Sequence, residues 1–228
     1  MSVSIQKYAA DVHALMARDN RFGYSWEERY GAYDQLYRID DVDTIIRTGD
    51  YDCSSSVITA WNIALEKAGF GRNKIKATYT GNMLGGFLST GLFMTIPISE
   101  RSQGDVLLNV SNHTAMVQSF DTLSEARINE HGGTHGGKRG DQTGNEFRLS
   151  PYYNYPWDYC IRCKLSTRIG EDMAISKNDV REIWAYRNDK FENKDAYQIL
   201  RDTRDMCKQL LKEIAAVESE IVKSKEKQ

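Results

Sequence analysis

The chain has 228 residues, of which 40% are hydrophobic and 27% are charged, a profile typical of a globular protein with one catalytic domain and a small additional segment. Its formal net charge of −2 predicts neither a nucleic-acid partner nor attraction to an anionic membrane. The four cysteines are too few and too scattered for a disulfide framework, which favours a reducing compartment.

The N-terminus lacks the pattern of a signal peptide, because no basic stretch precedes an apolar one. No apolar run approaches the roughly 20 residues that span a bilayer, so membrane insertion is not expected. Apolar spacing predicts a first amphipathic helix over residues 5–16. Residues 21–50 are rich in aromatic side chains and are predicted to be irregular, with most of these rings covering a core or a helix.

The most informative stretch is Tyr51-Asp52-Cys53-Ser54-Ser55-Ser56, which is followed by apolar residues at helical spacing up to Gly69. Cys53 is therefore predicted at a helix N-terminus, where unpaired N–H groups and the helix dipole favour the thiolate, the nucleophilic form. The serines are expected to cap this helix. The backbone N–H of Ser54 is a candidate donor to an oxyanion.

Beyond this helix, four glycines between residues 73 and 97 predict a short helix and turns that cross close to other backbone. From Gly104 onward the pattern predicts strands at Val106–Leu108, Thr114–Val117, Leu123–Ile128, Glu146–Leu149 and Tyr159–Leu165. Helices followed by a meandering antiparallel sheet indicate an α+β fold.

His113 opens the second of these strands and is the candidate base for Cys53, since imidazole exchanges protons near neutral pH. A third group normally holds the other nitrogen of such an imidazole. The candidates that follow His113 are Glu125, Asn129 and His131. Asn129 would share the face of Glu125, because residues an even number apart in a strand point the same way.

The cysteine box, the Gly104-Asp105-Val106 strand start and the His113–Val117 strand together resemble the NlpC/P60 cysteine peptidase superfamily, over roughly residues 1 to 165. Within it, the triple serine most resembles the phage peptidoglycan hydrolases, the phage endolysins. The resemblance implies a papain-like fold, with N-terminal helices packed on an antiparallel sheet. It also implies hydrolysis of amide bonds in bacterial peptidoglycan, without a cofactor or a metal.

For individual residues, the resemblance implies that Cys53 is the nucleophile, His113 the base and Glu125 the group that orients the base, with Asn129 as the alternative. Glutamate departs from the histidine or asparagine that many relatives carry at that position. Tyr51 is expected either to line the substrate pocket beside Ser54 and Asn129 or to serve packing alone. The implied activity is that of an N-acetylmuramoyl-L-alanine amidase or a γ-D-glutamyl endopeptidase, held in the host cytoplasm until it reaches the wall.

Two other classes stay open: a non-catalytic wall-binding or virion structural protein with this fold, and a papain-like protease or acyltransferase that acts on proteins. Cys160 and Cys163 have the spacing of a metal or redox pair, but residues three apart in a strand point to opposite faces, so an inert role is expected. His131 and His135 lack a second ligand cluster for zinc. The loop of residues 132–144 is expected to wall the substrate cleft.

The chain changes character after residue 168, which divides a catalytic domain, residues 1–168, from a helical C-terminal segment, residues 169–228. A capped helix is predicted near residue 176, and a longer one carries an apolar seam from Leu200 to Ile221. Such a seam must be buried against something. We favour a homo-oligomer or a bundle with the first of these helices over folding back on the domain or anchoring a wall-binding module.

Overall fold

The computed structural model of the chain describes residues 2–169. Three α-helices lie within this range: α1 (Ile5–Met16), α2 (Cys53–Lys67) and α3 (Thr80–Leu88). The strands of the same range are β1 (Val3–Ser4), β2 (Phe22–Tyr24), β3 (Tyr33–Ile39), β4 (Val42–Tyr51), β5 (Phe93–Ile96), β6 (Val106–Asn109), β7 (His113–Ser119), β8 (Thr122–Ala126), β9 (Phe147–Pro151), β10 (Tyr159–Cys163) and β11 (Arg168–Ile169). None of the helices in the described range is long and apolar enough to cross a membrane.

The main sheet has six antiparallel strands in the order β5-β10-β6-β7-β8-β9. Helices α1 and α2 cover one face of this sheet, where Trp61 of α2 and Met116 of β7 belong to the same fully buried apolar cluster. Burial of this cluster is the main force that holds the two helices to the strands. The predicted α+β class is confirmed.

The second face of the sheet carries its own, smaller apolar cluster, which includes Ala115, Leu123, Trp157 and Cys160. Cys163 instead belongs to the helix-covered cluster. The two cysteines of β10 therefore point to opposite faces, as the strand period predicts.

Helix α1 has the predicted bounds. The side chain of Ser4 caps it by accepting a hydrogen bond from the Lys7 backbone N–H at 3.2 Å. The five strands predicted after residue 104 are confirmed, although their ends shift by one or two residues. The predicted short helix between residues 73 and 97 is α3, and a Cβ at Gly86 would lie only 2.7 Å from that of Ala77, so this glycine does permit a close backbone crossing.

The prediction that residues 21–50 are irregular is wrong. These residues form a three-stranded sheet in the order β2-β4-β3, with β3 and β4 joined as a hairpin. Its turn is made by Asp40 and Asp41, which both adopt positive φ, the conformation that a two-residue hairpin needs. The aromatic residues also divide, since Phe22 and Tyr24 are buried whereas Trp26 is 52% exposed.

Several predictions lie outside the described residues, among them the helix near residue 176, the Leu200–Ile221 seam and all but the first residue of the segment of residues 169–228. They remain predictions. Within the described range, β11 pairs with β1 and so joins residues 168 and 169 to the start of the chain.

Candidate active site

Cys53 is the first residue of α2, as the sequence predicts. Asp52 caps the helix: its Oδ1 accepts the Ser55 backbone N–H at 2.7 Å, and the Ser55 hydroxyl oxygen accepts the Asp52 backbone N–H at 3.0 Å. This reciprocal capping box satisfies N–H groups that have no partner inside the helix. The cap therefore fixes the residue at which the helix begins, and with it the position of the Cys53 thiol in the first turn.

Cys53 is only 9% exposed, and the electrostatic state of its thiol differs from the expectation for a helix start. Burial and the neighbouring Asp52 carboxylate raise the pKa of Cys53 to about 12, although the backbone N–H groups of Thr114 and Ser54 and the Arg29 guanidinium act to lower it. The expectation of a stabilised thiolate is therefore wrong for the free protein. Loss of hydration outweighs the helix terminus, so the group rests as a thiol.

Arg29 is a residue of this site that sequence reasoning missed. Its Nε lies 2.7 Å from Asp52 Oδ2, and its Nη2 donates to the Ser54 hydroxyl at 2.8 Å and to the Thr78 carbonyl. The guanidinium thus offsets the carboxylate that lies next to the thiol. No spacing in the sequence indicates it, because Arg29 lies in the irregular-looking aromatic stretch and reaches α2 only through the tertiary fold.

His113 and Glu125 form the pair that the sequence predicts. His113 begins β7 and Glu125 lies on β8, and the two strands pair in the register of Met116 with Ser124. His113 Nε2 lies 2.8 Å from Glu125 Oε2. Because Nε2 faces the carboxylate, Nδ1 is the nitrogen left to exchange a proton with a nucleophile.

Glu125 is fully buried and has three further partners. Arg148 donates to its Oε1 through Nε at 3.1 Å and Nη2 at 3.0 Å, the Ser150 hydroxyl donates to the same oxygen, and the Tyr153 hydroxyl donates to Oε2 at 2.6 Å. Burial alone would raise the pKa of Glu125, but hydrogen bonds from His113, Tyr153 and Arg148 outweigh it and lower the pKa to about 2. The carboxylate therefore stays ionised and fixed in place.

The thiol and the imidazole approach the same end of β7 from different sides. Cys53 begins α2, one of the two helices that cover the first face of the sheet, and the backbone N–H of Thr114 on β7 acts to lower the pKa of its thiol. The His113 ring lies on the second face, stacked on Trp157 with ring centroids 6.0 Å apart. Within residues 2–169, no hydrogen bond joins the Cys53 sulfur to the His113 ring.

The remaining predicted site residues have structural partners. Tyr51 is 1% exposed and donates to the Arg47 carbonyl at 2.7 Å, which corresponds to the packing role and not to a pocket wall. The Asn129 side chain is held by the backbone of its own loop, residues 131–136, and not by His113, so Glu125 is the candidate that reaches the imidazole. Ser54 is buried, with its hydroxyl donating to Asp52 Oδ1 at 2.9 Å.

The two histidines of the glycine-rich loop lie apart from this site. The His131 side chain is 73% exposed and lies 3.5 Å from Glu130, and that of His135 lies 3.4 Å from Glu27. Across the part of the chain that the structure describes, no group of three or more histidine, cysteine or acidic residues is arranged to hold a metal ion.

A second histidine, the fully buried His13 of α1, was also missed as part of the site's support. Its Nε2 lies 3.0 Å from the Ser56 hydroxyl, which donates to the Cys53 carbonyl, so Nε2 carries the hydrogen. Its Nδ1 accepts from Ser124 at 2.5 Å. Burial lowers the pKa of His13 to about 3, and this neutral ring bridges the first turn of α2 to β8.

A cleft of about 830 Å³ opens beside His113. We call it the His113 cleft; its walls include Asn112, Arg127, Asn145, Arg148, Tyr153 and Tyr155. Gly144, at the end of the predicted loop, also lines it, whereas Cys53 does not. A ligand in the cleft would therefore meet the imidazole before the thiol.

Comparison with known proteins supplies the family. No curated protein and no solved structure matches the chain. The family model of the endolysin-like domain matches residues 2–121 and 123–197, which is most of the sequence. Because this match covers far more than half of the sequence, the chain belongs to the endolysin-like domain family.

Proposed function

We propose that the chain is a bacteriolytic cysteine amidohydrolase of the NlpC/P60 type that cleaves an amide bond in the stem peptide of bacterial peptidoglycan. The observation that carries the proposal is the position of Cys53, which begins a helix beside the strand whose first residue, His113, is held by an ionised carboxylate. The endolysin-like family supports a cell-wall target. A helix that carries the cysteine and packs on an antiparallel sheet supports a papain-like fold.

In this mechanism the Cys53 sulfur attacks the carbonyl carbon while its proton passes to His113 Nδ1. The backbone N–H groups of Cys53 and Ser54 donate to the oxyanion of the tetrahedral intermediate. His113 then returns the proton to the leaving amine, the C–N bond breaks, and water hydrolyses the thioester. Glu125 stabilises the imidazolium formed in between.

The chemistry needs one rearrangement on substrate binding. In the free protein Cys53 is a thiol without a hydrogen bond to the His113 ring, and catalytic contacts of this kind commonly tighten only in the substrate complex. A side-chain rotation at the end of β7 that brings Nδ1 to the sulfur would complete the pair. Substrate that displaces water from the His113 cleft would favour it.

The test is mass spectrometry of fragments released from purified peptidoglycan by the full-length chain. New N-terminal L-alanine would identify an amidase, and a cut within the stem would identify a γ-D-glutamyl endopeptidase. Cys53→Ala should release neither product, and Cys160→Ala, which removes a buried thiol on another strand, is the matched control that should retain activity.

One observation favours a second candidate, a wall-binding protein that does not cleave. Cys53 is buried, its pKa is raised, and it is not bonded to the histidine. In that case the wild-type chain and Cys53→Ala would pellet equally well with insoluble peptidoglycan, and neither would release fragments. Fragment release that disappears in Cys53→Ala excludes it.

A further inference from the structure

The His113 cleft has an unbalanced charge. Two arginines, Arg127 and Arg148, line it, and its lining residues include no aspartate or glutamate. The nearest carboxylate identified above, that of Glu125, is fully buried behind the wall. A cleft with this lining attracts anions.

The two arginines differ in their partners. Arg148 directs both Nε and Nη2 at Glu125, so its charge is largely neutralised. The backbone N–H of Arg127 donates to the Glu146 carbonyl at 2.7 Å, but its side chain is exposed. Among the described residues, no carboxylate lies within ion-pair distance of the Arg127 guanidinium. Arg127 therefore supplies the uncompensated positive charge of the cleft.

Strand alternation and the cleft lining place this charge beside the candidate base. Arg127 follows Glu125 by two positions and so points to the same face of the sheet. His113 and Arg127 both line the cleft. Both arginines also influence the Tyr153 hydroxyl. Burial and the hydrogen bond to Glu125 raise the pKa of Tyr153, whereas the charges of Arg148 and Arg127 act to lower it.

We propose that the His113 cleft binds a free carboxylate of the substrate peptide, with Arg127 as the residue that recognises it. The inference rests on the proposed function and names the substrate class: a stem peptide with an unmodified carboxylate near the scissile amide, such as a γ-linked D-glutamyl residue. The planar guanidinium matches a carboxylate with two parallel hydrogen bonds. The side-chain amides of Asn112 and Asn145 supply further polar groups at the rim.

The experiment uses the full-length Cys53→Ala chain, so that binding is measured without turnover. The probes are acetyl-L-alanyl-γ-D-glutamyl-L-lysine amide, whose one carboxylate is that of the D-glutamyl residue, and the same peptide with that carboxylate converted to an amide. Calorimetric titration should show about tenfold tighter binding of the acid. Adding Arg127→Gln should abolish this preference, and Arg127→Lys should retain part of it.

Arg38→Gln is the matched control, since it removes an exposed arginine from the β3–β4 hairpin and should leave the preference unchanged. Equal affinities for the two peptides, no binding of either, or a preference that survives Arg127→Gln would overturn the inference. These outcomes are separate from failure of the proposed function. A wild-type chain that binds the acid selectively but releases no fragments from peptidoglycan would refute the hydrolase and leave the carboxylate site standing.

Discussion

The two faces of the main sheet each hold one histidine, and the two side chains differ in their partners and in their access to solvent. On the helix-covered face, His13 lies between two hydroxyl groups without a carboxylate partner, and burial keeps it neutral with a pKa of about 3. On the second face, His113 lies 2.8 Å from the ionised Glu125 and borders an open cleft. The comparison shows that the partner and the access to solvent, and not the residue type, decide which histidine is equipped to carry a proton.

The difference between the two histidines is tested most directly by substitution of His113. His113→Ala should reduce fragment release from peptidoglycan by about three orders of magnitude or more, because the thiol loses its proton acceptor. His13→Gln, which keeps an amide between the two hydroxyl groups, should leave kcat within a few-fold of wild type. Both rates are measured by release of soluble fragments. If His13→Gln proved the more damaging to kcat at equal folded concentration, the assignment of the base would be wrong.

The next largest effect is expected at the carboxylate. Glu125→Gln retains an acceptor but loses the charge that stabilises imidazolium, so kcat should fall by about one to three orders of magnitude. Asn129→Ala perturbs only its loop and should cost less. Steady-state kinetics of the two variants decide between them. A near-normal kcat in Glu125→Gln would remove the carboxylate from the mechanism.

The pKa shifts of His13 and Glu125 also predict how the free energy of unfolding depends on pH. The pKa of His13 is depressed in the folded protein, so below its unfolded value of about 6.5 the unfolded chain binds more protons and stability falls as pH falls towards 3. Glu125 acts in the same direction, but in the lower window between 4.5 and about 2. Between pH 6.5 and 4.5, the His13 contribution should approach about 1.4 kcal/mol per pH unit.

Urea unfolding at a series of pH values measures this contribution. The His13→Gln variant should be less stable at neutral pH, yet its free energy of unfolding should depend less on pH between 6.5 and 4.5. The two curves should become parallel only below about pH 3, where His13 is protonated in both the folded and the unfolded chain and Glu125 contributes in both proteins. A variant with the same slope as wild type above pH 4.5 would show that His13 is not the group responsible.

The smallest effect is expected at Arg29, whose substitution tests the reactivity of the Cys53 thiol itself. Arg29→Gln removes a cation that lowers the pKa of Cys53 and leaves Asp52 unopposed. Alkylation of Cys53 by iodoacetamide at fixed pH should slow by up to about tenfold, and Arg29→Lys should recover part of the rate. Peptide mapping after alkylation separates Cys53 from the other cysteines. An unchanged rate in both variants would confine Arg29 to packing.

The sequence alone determined the local features of the site. The helix starts at Cys53 as the sequence predicts, because a cap depends only on backbone and side-chain groups within one turn, but the capping residue is Asp52 and not a serine, with Ser55 completing the capping box. The family resemblance read from the sequence implied Glu125 on the strand after His113, and the carboxylate of Glu125 does lie 2.8 Å from the imidazole. The opposed directions of Cys160 and Cys163 follow from the same period.

The charge state and the surroundings of these groups follow from tertiary contacts that no local pattern encodes. The pKa of Cys53 depends on how completely distant segments exclude water, and this exclusion reversed the expectation drawn from the helix start. Arg29, Arg148 and Tyr153 reach the site from separate parts of the chain, so no spacing in the sequence relates them to it. The β3–β4 hairpin went unpredicted because its first strand is largely exposed and lacks a clear apolar period; pairing across the turn, and not burial, makes it a strand.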